Sequence, residues 1–323
     1  MIFALYVSSL LFTLLVTALI LTLLIPGLQA HAKQPIYEGG PSWHSSKSGT
    51  PTMGGLAFLV SAFFTLIISS FFLISIEERD QGISLLLSAV FCLLNSCIGI
   101  FDDLTKLRKK ENAGLTPKQK LLLQFTLCAL FFISRNIFLG NDAFIDCRLF
   151  GIELGALSLP VMIFIFVGII NFANLTDGID GLASCVAFSI GLSLFYISAQ
   201  KAYASAIIAT VLMGSAVGFL IFNLHPAKIF MGDTGSLFLG ALVVVSSLFF
   251  DNPLLILPSS GVYIIEGFSV ILQVLYYKAT KKRLFKMAPL HHHLERTGLS
   301  ENTICIIAIL TTLILSIPTF IFS

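Results

Sequence analysis

From Phe3 to Ile25 the chain runs without one charged side chain, and apolar runs of similar length recur to its end, 203–222 being the plainest. Few sequence features constrain a fold more. A bilayer core takes about 20 residues of helix to cross, and every backbone N–H and C=O within it must find a partner inside the protein. Ten such runs are read, at roughly 3–25, 52–75, 83–101, 119–136, 158–173, 182–198, 203–222, 236–250, 257–277 and 302–320. Only 11% of the 323 residues are charged, where a soluble domain carries about 25%. The expected fold is an all-α polytopic membrane protein of about ten transmembrane helices, one integral membrane domain over 1–323. The first run lacks a basic leader and a clear small-residue cleavage site, so it is read as a helix and not as a signal peptide.

The position of the charge says more than its net value of +2. Loops 26–51, 102–118, 174–181, 223–235 and 278–301, counted with their flanks, hold 15 of the 19 lysines and arginines. The other loops and the two chain ends hold the rest, so the rule that basic loops stay inside places this first set in the cytoplasm and both termini outside. Five of the six cysteines lie within apolar runs and Cys147 in a polar loop, a distribution that speaks for packing and against disulfides or thiolate metal sites. In the outer loop 137–157, RLFGIELG alternates briefly between glycines, as a small β-hairpin does.

Each basic loop also carries a polar cluster. FDDLTK (101–106) ends the third run. Acids at a helix end are often only solvated, but Asp102 and Asp103 point about 100° apart on a helix and could serve a cation and a substrate separately. Lys106 lies on nearly the same face, as a counter-ion or as one more interfacial lysine. In GLTPKQKLLLQ (114–124), Thr116 and Pro117 read as an N-cap and first helical residue, and Lys120 could reach a phosphate or simply snorkel. NLTDGIDGL (174–182) sets Asp177 and Asp180 around Gly178, a pattern that an ordinary turn would also give. In FNLHPAKIFMGDTGSL (222–237), Asp233 suits a divalent cation, and Thr234 or Ser236 is expected to cap the following helix, whose free N–H groups favour an anion. Asn223 could meet a nucleobase edge, and Phe230 could stack on one. KSGTPTMGG (47–55) contains Lys47 and Thr52; its glycines suit either close helix packing or a phosphate-contacting turn. APLHHHLE (288–295) brings His291, His292 and His293 to the same side. Three consecutive histidines cannot all face one way on a helix, which argues against a zinc triad made only from them; their imidazoles could donate hydrogen bonds to a diphosphate, or the run could simply belong to a basic interface loop. Oxygen ligands without cysteine favour Mg²⁺.

PTMGG, FDD, NLTDGIDGLA, NLHPAKIFMGDTGSL and APLHHHLE occur in an order that resembles the bacterial phospho-N-acetylmuramoyl-pentapeptide transferases, within the polyprenyl-phosphate N-acetylhexosamine-1-phosphate transferase superfamily. The aspartate motifs are superfamily-wide; APLHHHLE points to the muramoyl-pentapeptide branch. The resemblance implies Mg²⁺-dependent transfer of phospho-N-acetylmuramoyl-pentapeptide from UDP-N-acetylmuramoyl-pentapeptide to undecaprenyl phosphate, giving lipid I and UMP. It implies a multi-pass protein of the bacterial inner membrane, active on the cytoplasmic face, dimeric, with a long broken ninth span and no nucleic-acid partner. It assigns catalytic roles to Asp102, Asp103, Asp233, Lys120 and His291–His293, and substrate contacts to Lys47, Thr52, Asn174, Asp177, Asp180, Asn223 and Phe230. Asp233 and Asp177 are the expected metal ligands. Two other readings stand beside this one: an N-acetylglucosamine-1-phosphate transferase, and a cation-coupled transporter, which would need ionisable groups along a through-path, where Glu266 is the main candidate.

Overall fold

The computed structural model describes residues 1–31, 49–109, 114–140, 147–149, 151–200 and 202–322. Helices dominate: α1 (Ile2–His31), α2 (Gly55–Ser75), α3 (Arg79–Lys109), α4 (Pro117–Leu139), α5 (Ser158–Thr176), α6 (Leu182–Ser198), α7 (Tyr203–Asn223), α8 (Gly232–Ser246), α9 (Ile256–Ser259), α10 (Gly261–Thr280), α11 (Leu290–Glu295), α12 (Glu301–Leu315) and α13 (Ile317–Phe322). Among the described residues nine helical stretches are long and apolar enough to cross a membrane, and α6, with 17 residues, is a shorter apolar helix at the remaining expected position. The strands β1 (Arg148–Leu149) and β2 (Ile152–Glu153) form the expected antiparallel hairpin, Arg148 opposite Glu153.

Three boundaries differ from the sequence reading. Helix α3 continues past 101 to Lys109, so the FDD acids belong to a helix and not to a loop. Helix α8 starts at Gly232, not 236. The ninth span is interrupted: a 3₁₀ turn at Pro253–Leu255 leads into α9, and the helix restarts at Gly261. Pro253 and Pro258 have no N–H to give, which favours short helical pieces here over one long one.

Helices α7 and α8 form the centre, each 78% buried over its apolar window, against 22% for α1 at the periphery. Where water is absent, helices associate through close packing and hydrogen bonds. Ser9, Thr13 and Thr17 fall at four-residue intervals on α1 and meet Ser69, Thr65 and Ser61 of α2 at 3.4, 3.0 and 2.6 Å, a row of hydroxyl pairs between antiparallel helices. Gly214 and Gly218 of α7 then lie directly against α1 at Thr13 and Thr17. Around α8 the contact is main chain on main chain. Gly99 of α3 packs on the backbone of Asp233 and Thr234, and Gly55 of α2 on Gly235. The Ser96 hydroxyl donates to the Thr234 carbonyl at 2.8 Å, joining α3 to the first turn of α8.

The chain ends lie at one end of this bundle and the motif loops at the other. Tyr6 donates its hydroxyl to the Ala199 carbonyl and Phe320 packs on Tyr196, both at the C-terminal end of α6. The N-terminal end of α6 adjoins the 174–181 turn. This relative placement agrees with the alternation of loops read from the charges.

Candidate active site

Helix geometry decides what the FDD acids do. Asp102 and Asp103 project in different directions from the last turns of α3, and each finds a different neighbour. Asp102, fully buried, accepts the Leu115 N–H at 2.7 Å and faces Lys106 at 2.7 Å and Lys120 at 3.0 Å. Asp103 turns to α8. It accepts the N–H groups of Asp233 and Thr234 at 3.1 and 2.9 Å and the Thr234 hydroxyl at 2.7 Å. The first N–H groups of a helix have no intrahelical partner and carry its positive dipole end. Asp103 satisfies them from another helix. That corrects the expectation that Thr234 or Ser236 would cap α8: both lie inside it, and its own N-cap position, Met231, makes no side-chain cap. Gly232 has φ +70°, and a Cβ there would run into the Asp103 carboxylate and the Thr52 hydroxyl.

Asp233, in the first turn of α8, completes the cluster. Lys106 reaches it at 3.2 Å, Lys120 pairs with it more closely still, and Asn174 donates to it at 3.1 Å while also donating to Ser236 at 2.7 Å. Oxygens of Asp102, Asp103 and Asp233 lie within 4.8 Å of one another. Lys120 owes its place to a full capping box, in which Thr116 accepts the Gln119 N–H and Gln119 answers the Thr116 N–H, with Pro117 as first residue. Lys106, Lys120 and Asp233 keep 22, 17 and 14% side-chain exposure. The buried pair, Asp102 and Asp103, holds them in place.

The family model for glycosyl transferase family 4 matches residues 82–251, and a phospho-N-acetylmuramoyl-pentapeptide-transferase signature matches 47–59. Curated relatives bear the name phospho-N-acetylmuramoyl-pentapeptide-transferase. That of Halalkalibacterium halodurans is 43% identical over 270 residues, 83% of this chain and 82% of its own. One from Clostridium botulinum is 41% identical over 292 residues (89% and 87%), and one from Caldicellulosiruptor bescii 41% over 275 (85% and 83%). The chain belongs to the phospho-N-acetylmuramoyl-pentapeptide transferase family. It is a membrane-embedded enzyme, and the transporter reading falls.

The other expected site residues of this transferase divide into those facing the cluster and those tying loops together. Asp177 caps the end of α5 beside the acids; burial first, then the charges of Asp233, Asp103 and Asp180, push its carboxyl up to about 8 against the pull of Lys106. It is not part of the close trio. Asp180 points away and accepts from His225 Nδ1 at 2.9 Å and the Ala227 N–H at 3.0 Å, while its own N–H donates to Glu301 at 2.7 Å. The Asn223 side chain is engaged by the fold. It accepts the Gly181 N–H at 3.0 Å and donates to the Ile229 carbonyl at 2.8 Å, so its side chain already serves the backbone. Segment 51–55 pairs with 230–231: the Phe230 N–H donates to the Pro51 carbonyl, and the N–H groups of Gly54 and Gly55 donate to the carbonyls of Phe230 and Met231. Of the two readings of PTMGG, close packing is the one these contacts support, with Thr52 buried beside Gly232. Lys47 lies outside the described residues.

The three histidines diverge as their helical spacing requires. His291 is fully buried against Glu266 and Gly178. His292 bonds Glu295 at 2.6 Å, and His293 accepts the Lys286 N–H at 3.1 Å. Nearby, a cavity of about 530 Å³ opens between His225, Lys286, Arg296 and Glu301. Lys106, Ser236 and Glu266 belong to the site although sequence reasoning assigned them no firm part. For Lys106 the signal was present, since it sits four residues beyond Asp102. The partners of Ser236 and Glu266 come from distant helices and left no local trace.

Proposed function

We propose that the chain transfers phospho-N-acetylmuramoyl-pentapeptide from its UDP carrier to undecaprenyl phosphate, releasing UMP and forming lipid I in peptidoglycan synthesis. The observation that carries this reading is the bridging of Asp102 and Asp233 by both Lys106 and Lys120 at the membrane end that gathers the basic loops. In this reading that end lies on the cytoplasmic face of a bacterial inner membrane, and the gathering of lysine and arginine in its loops supports the orientation.

The residues fit Mg²⁺: the donors are oxygens only, and three carboxylates converge within 4.8 Å. Asp233, the most accessible of the three, would hold the ion with Asp102. When bound, the ion supplies Lewis-acid polarisation of the diphosphate oxygens and neutralises charge on the departing group. The chain's own groups do the rest. Lys106 and Lys120 place two positive charges where the phosphoryl oxygens gather charge in the transition state. Asn174 orients Asp233.

An acceptor phosphate oxygen attacks the sugar-bearing phosphorus, its bond to the bridging oxygen breaks, and the electron pair leaves with UMP. One phosphoanhydride replaces another, so the enzyme manages charge and needs no strong base. The acceptor is already an oxyanion at neutral pH. Asp102 and Asp103, buried and committed to lysines and to the α8 N-terminus, suit support better than nucleophilic attack, which favours a single displacement. Exposed Phe101, Leu121 and Leu122 flank the cluster and suit an acceptor whose polyprenyl tail stays in hydrocarbon. The cavity of about 530 Å³ between His225 and Arg296, tied to the 174–181 turn by the His225–Asp180 contact, would take a sugar-sized portion of the donor.

Purified protein in undecaprenyl-phosphate micelles should release UMP from UDP-N-acetylmuramoyl-pentapeptide, stop on chelation of divalent cations, and leave UDP-N-acetylglucosamine intact. Consumption of the latter alone would transfer the assignment to the N-acetylglucosamine branch. Inversion at the transferred phosphorus is the expected stereochemical outcome, and net retention would require a covalent intermediate.

A further inference from the structure

Among the described residues, His291 leaves one ring nitrogen without a partner in a place where no water-exposed surface explains it. Its side chain is fully buried, and Nε2 makes no hydrogen bond with any of them. The other side of the residue is fully engaged. Both carboxylate oxygens of Glu266 accept the His291 backbone N–H, at 3.1 and 3.2 Å, and one of them also lies 3.1 Å from Nδ1. An ionised carboxylate can only accept, so Nδ1 carries a proton and Nε2 is the free atom of the ring. The His292 ring packs edge-on against it, with centroids 4.2 Å apart. Nε2 is then held against Gly178, where even a methyl group would overlap it. Gly178 lies between Asp177 and Asp180, in the turn that borders the acid–lysine cluster.

We infer that Glu266 is a positioning residue: it fixes the rotamer of His291 so that the buried ring abuts Gly178 and seats the 177–180 turn, with Asp177, beside the acid–lysine cluster. The inference rests on the function proposed above. It also gives the buried acid of the broken span a task in phosphoryl transfer. Glu266 sits on α10 and His291 on α11, so the contact additionally docks the short histidine helix onto the span.

The test is a double-mutant cycle read in kcat and in donor KM, with thermal midpoints recorded for each variant. Glu266→Ala should lower kcat about 100-fold with donor KM changed less than about 3-fold, as expected when a group that acts on the transition state is misplaced. Glu266→Gln keeps an acceptor oxygen and should recover most of that rate, which also keeps the test informative if the alanine variant folds poorly. His291→Asn preserves a donor toward Glu266 but has nothing at the Nε2 position. It should melt with the parent yet lose turnover to a similar degree. In the His291→Asn background, Glu266→Ala should then have almost no further effect on kcat. Equal fold-losses in both backgrounds, or full turnover by His291→Asn, would overturn the inference by showing that Glu266 does not act through the His291 ring. Absence of UMP release by the parent protein would instead count against the proposed reaction.

Discussion

Asp103 accepts both the backbone N–H and the hydroxyl of Thr234, at 2.9 and 2.7 Å, and so caps from α3 the helix that carries Asp233. An acid adjacent in sequence to Asp102 thereby becomes part of the fold of α8. Asp103→Asn puts an amide donor where N–H groups point and should lower stability by about 1–2 kcal/mol, the usual worth of a lost cap. Thr234→Val, which loses only the hydroxyl, should cost about 1 kcal/mol. Thermal unfolding in detergent measures both, and an Asp103→Asn midpoint equal to that of the parent would refute the capping role.

Lys106 joins Asp102 to Asp233, 2.7 Å from the first and 3.2 Å from the second. If it stabilises charge on the transferred phosphoryl group, Lys106→Met should cut turnover about 100-fold, the usual loss for one preorganised donor. Lys106→Arg should restore part of it. UMP release under saturating donor is the readout; an unimpaired Lys106→Met enzyme would reduce this lysine to an interfacial charge.

Asp177 provides a pH signature. Burial and neighbouring acids raise its carboxyl from 3.8 to about 8, so the fold favours the protonated form. Its favourable contribution is complete below about pH 4, falls as pH rises through the interval, and is gone above about pH 8. Without divalent cation or nucleotide, Asp177→Asn should therefore melt above the parent at pH 8 and converge with it toward pH 4.5. A difference that does not change with pH would show that the carboxyl is not perturbed.

Thr13 and Thr65 test the hydroxyl row between α1 and α2. Paired hydroxyls between membrane helices contribute about 0.6 kcal/mol on average. A Thr13→Val, Thr65→Val cycle should return a coupling near that value, measured by unfolding in mixed micelles. Coupling indistinguishable from zero would mean that shape alone holds these helices.

The helical, multi-span character was readable because bilayer length and basic-loop bias act locally on sequence. The same holds for the cap at Thr116 and the hairpin at Arg148–Glu153, each set by neighbours within a few residues. The acids of the cluster were readable as types, since FDD and MGD stand at the ends of apolar runs. Their division of labour was not. Asp103 and Thr234 are 131 positions apart, and nothing near either residue says that one caps the helix of the other. Asn223 shows the same limit: its bonds to two backbone groups arise only once the folded turn brings them near. Glu266 had looked like an ionisable group stranded in a span, and its partner comes from a helix that begins 24 positions later, at Leu290.

At Gly55, Gly99 and Gly235 the helices around α8 touch through their main chains, with no side chain between them. Spacing at that junction is set by the thickness of a polypeptide backbone and has almost no room to be widened or narrowed by degrees. Substitutions on the lipid-facing surface can therefore accumulate without disturbing the distance between Asp233 and the two lysines. A single methyl group at the junction would force α8 aside and take the reaction centre with it.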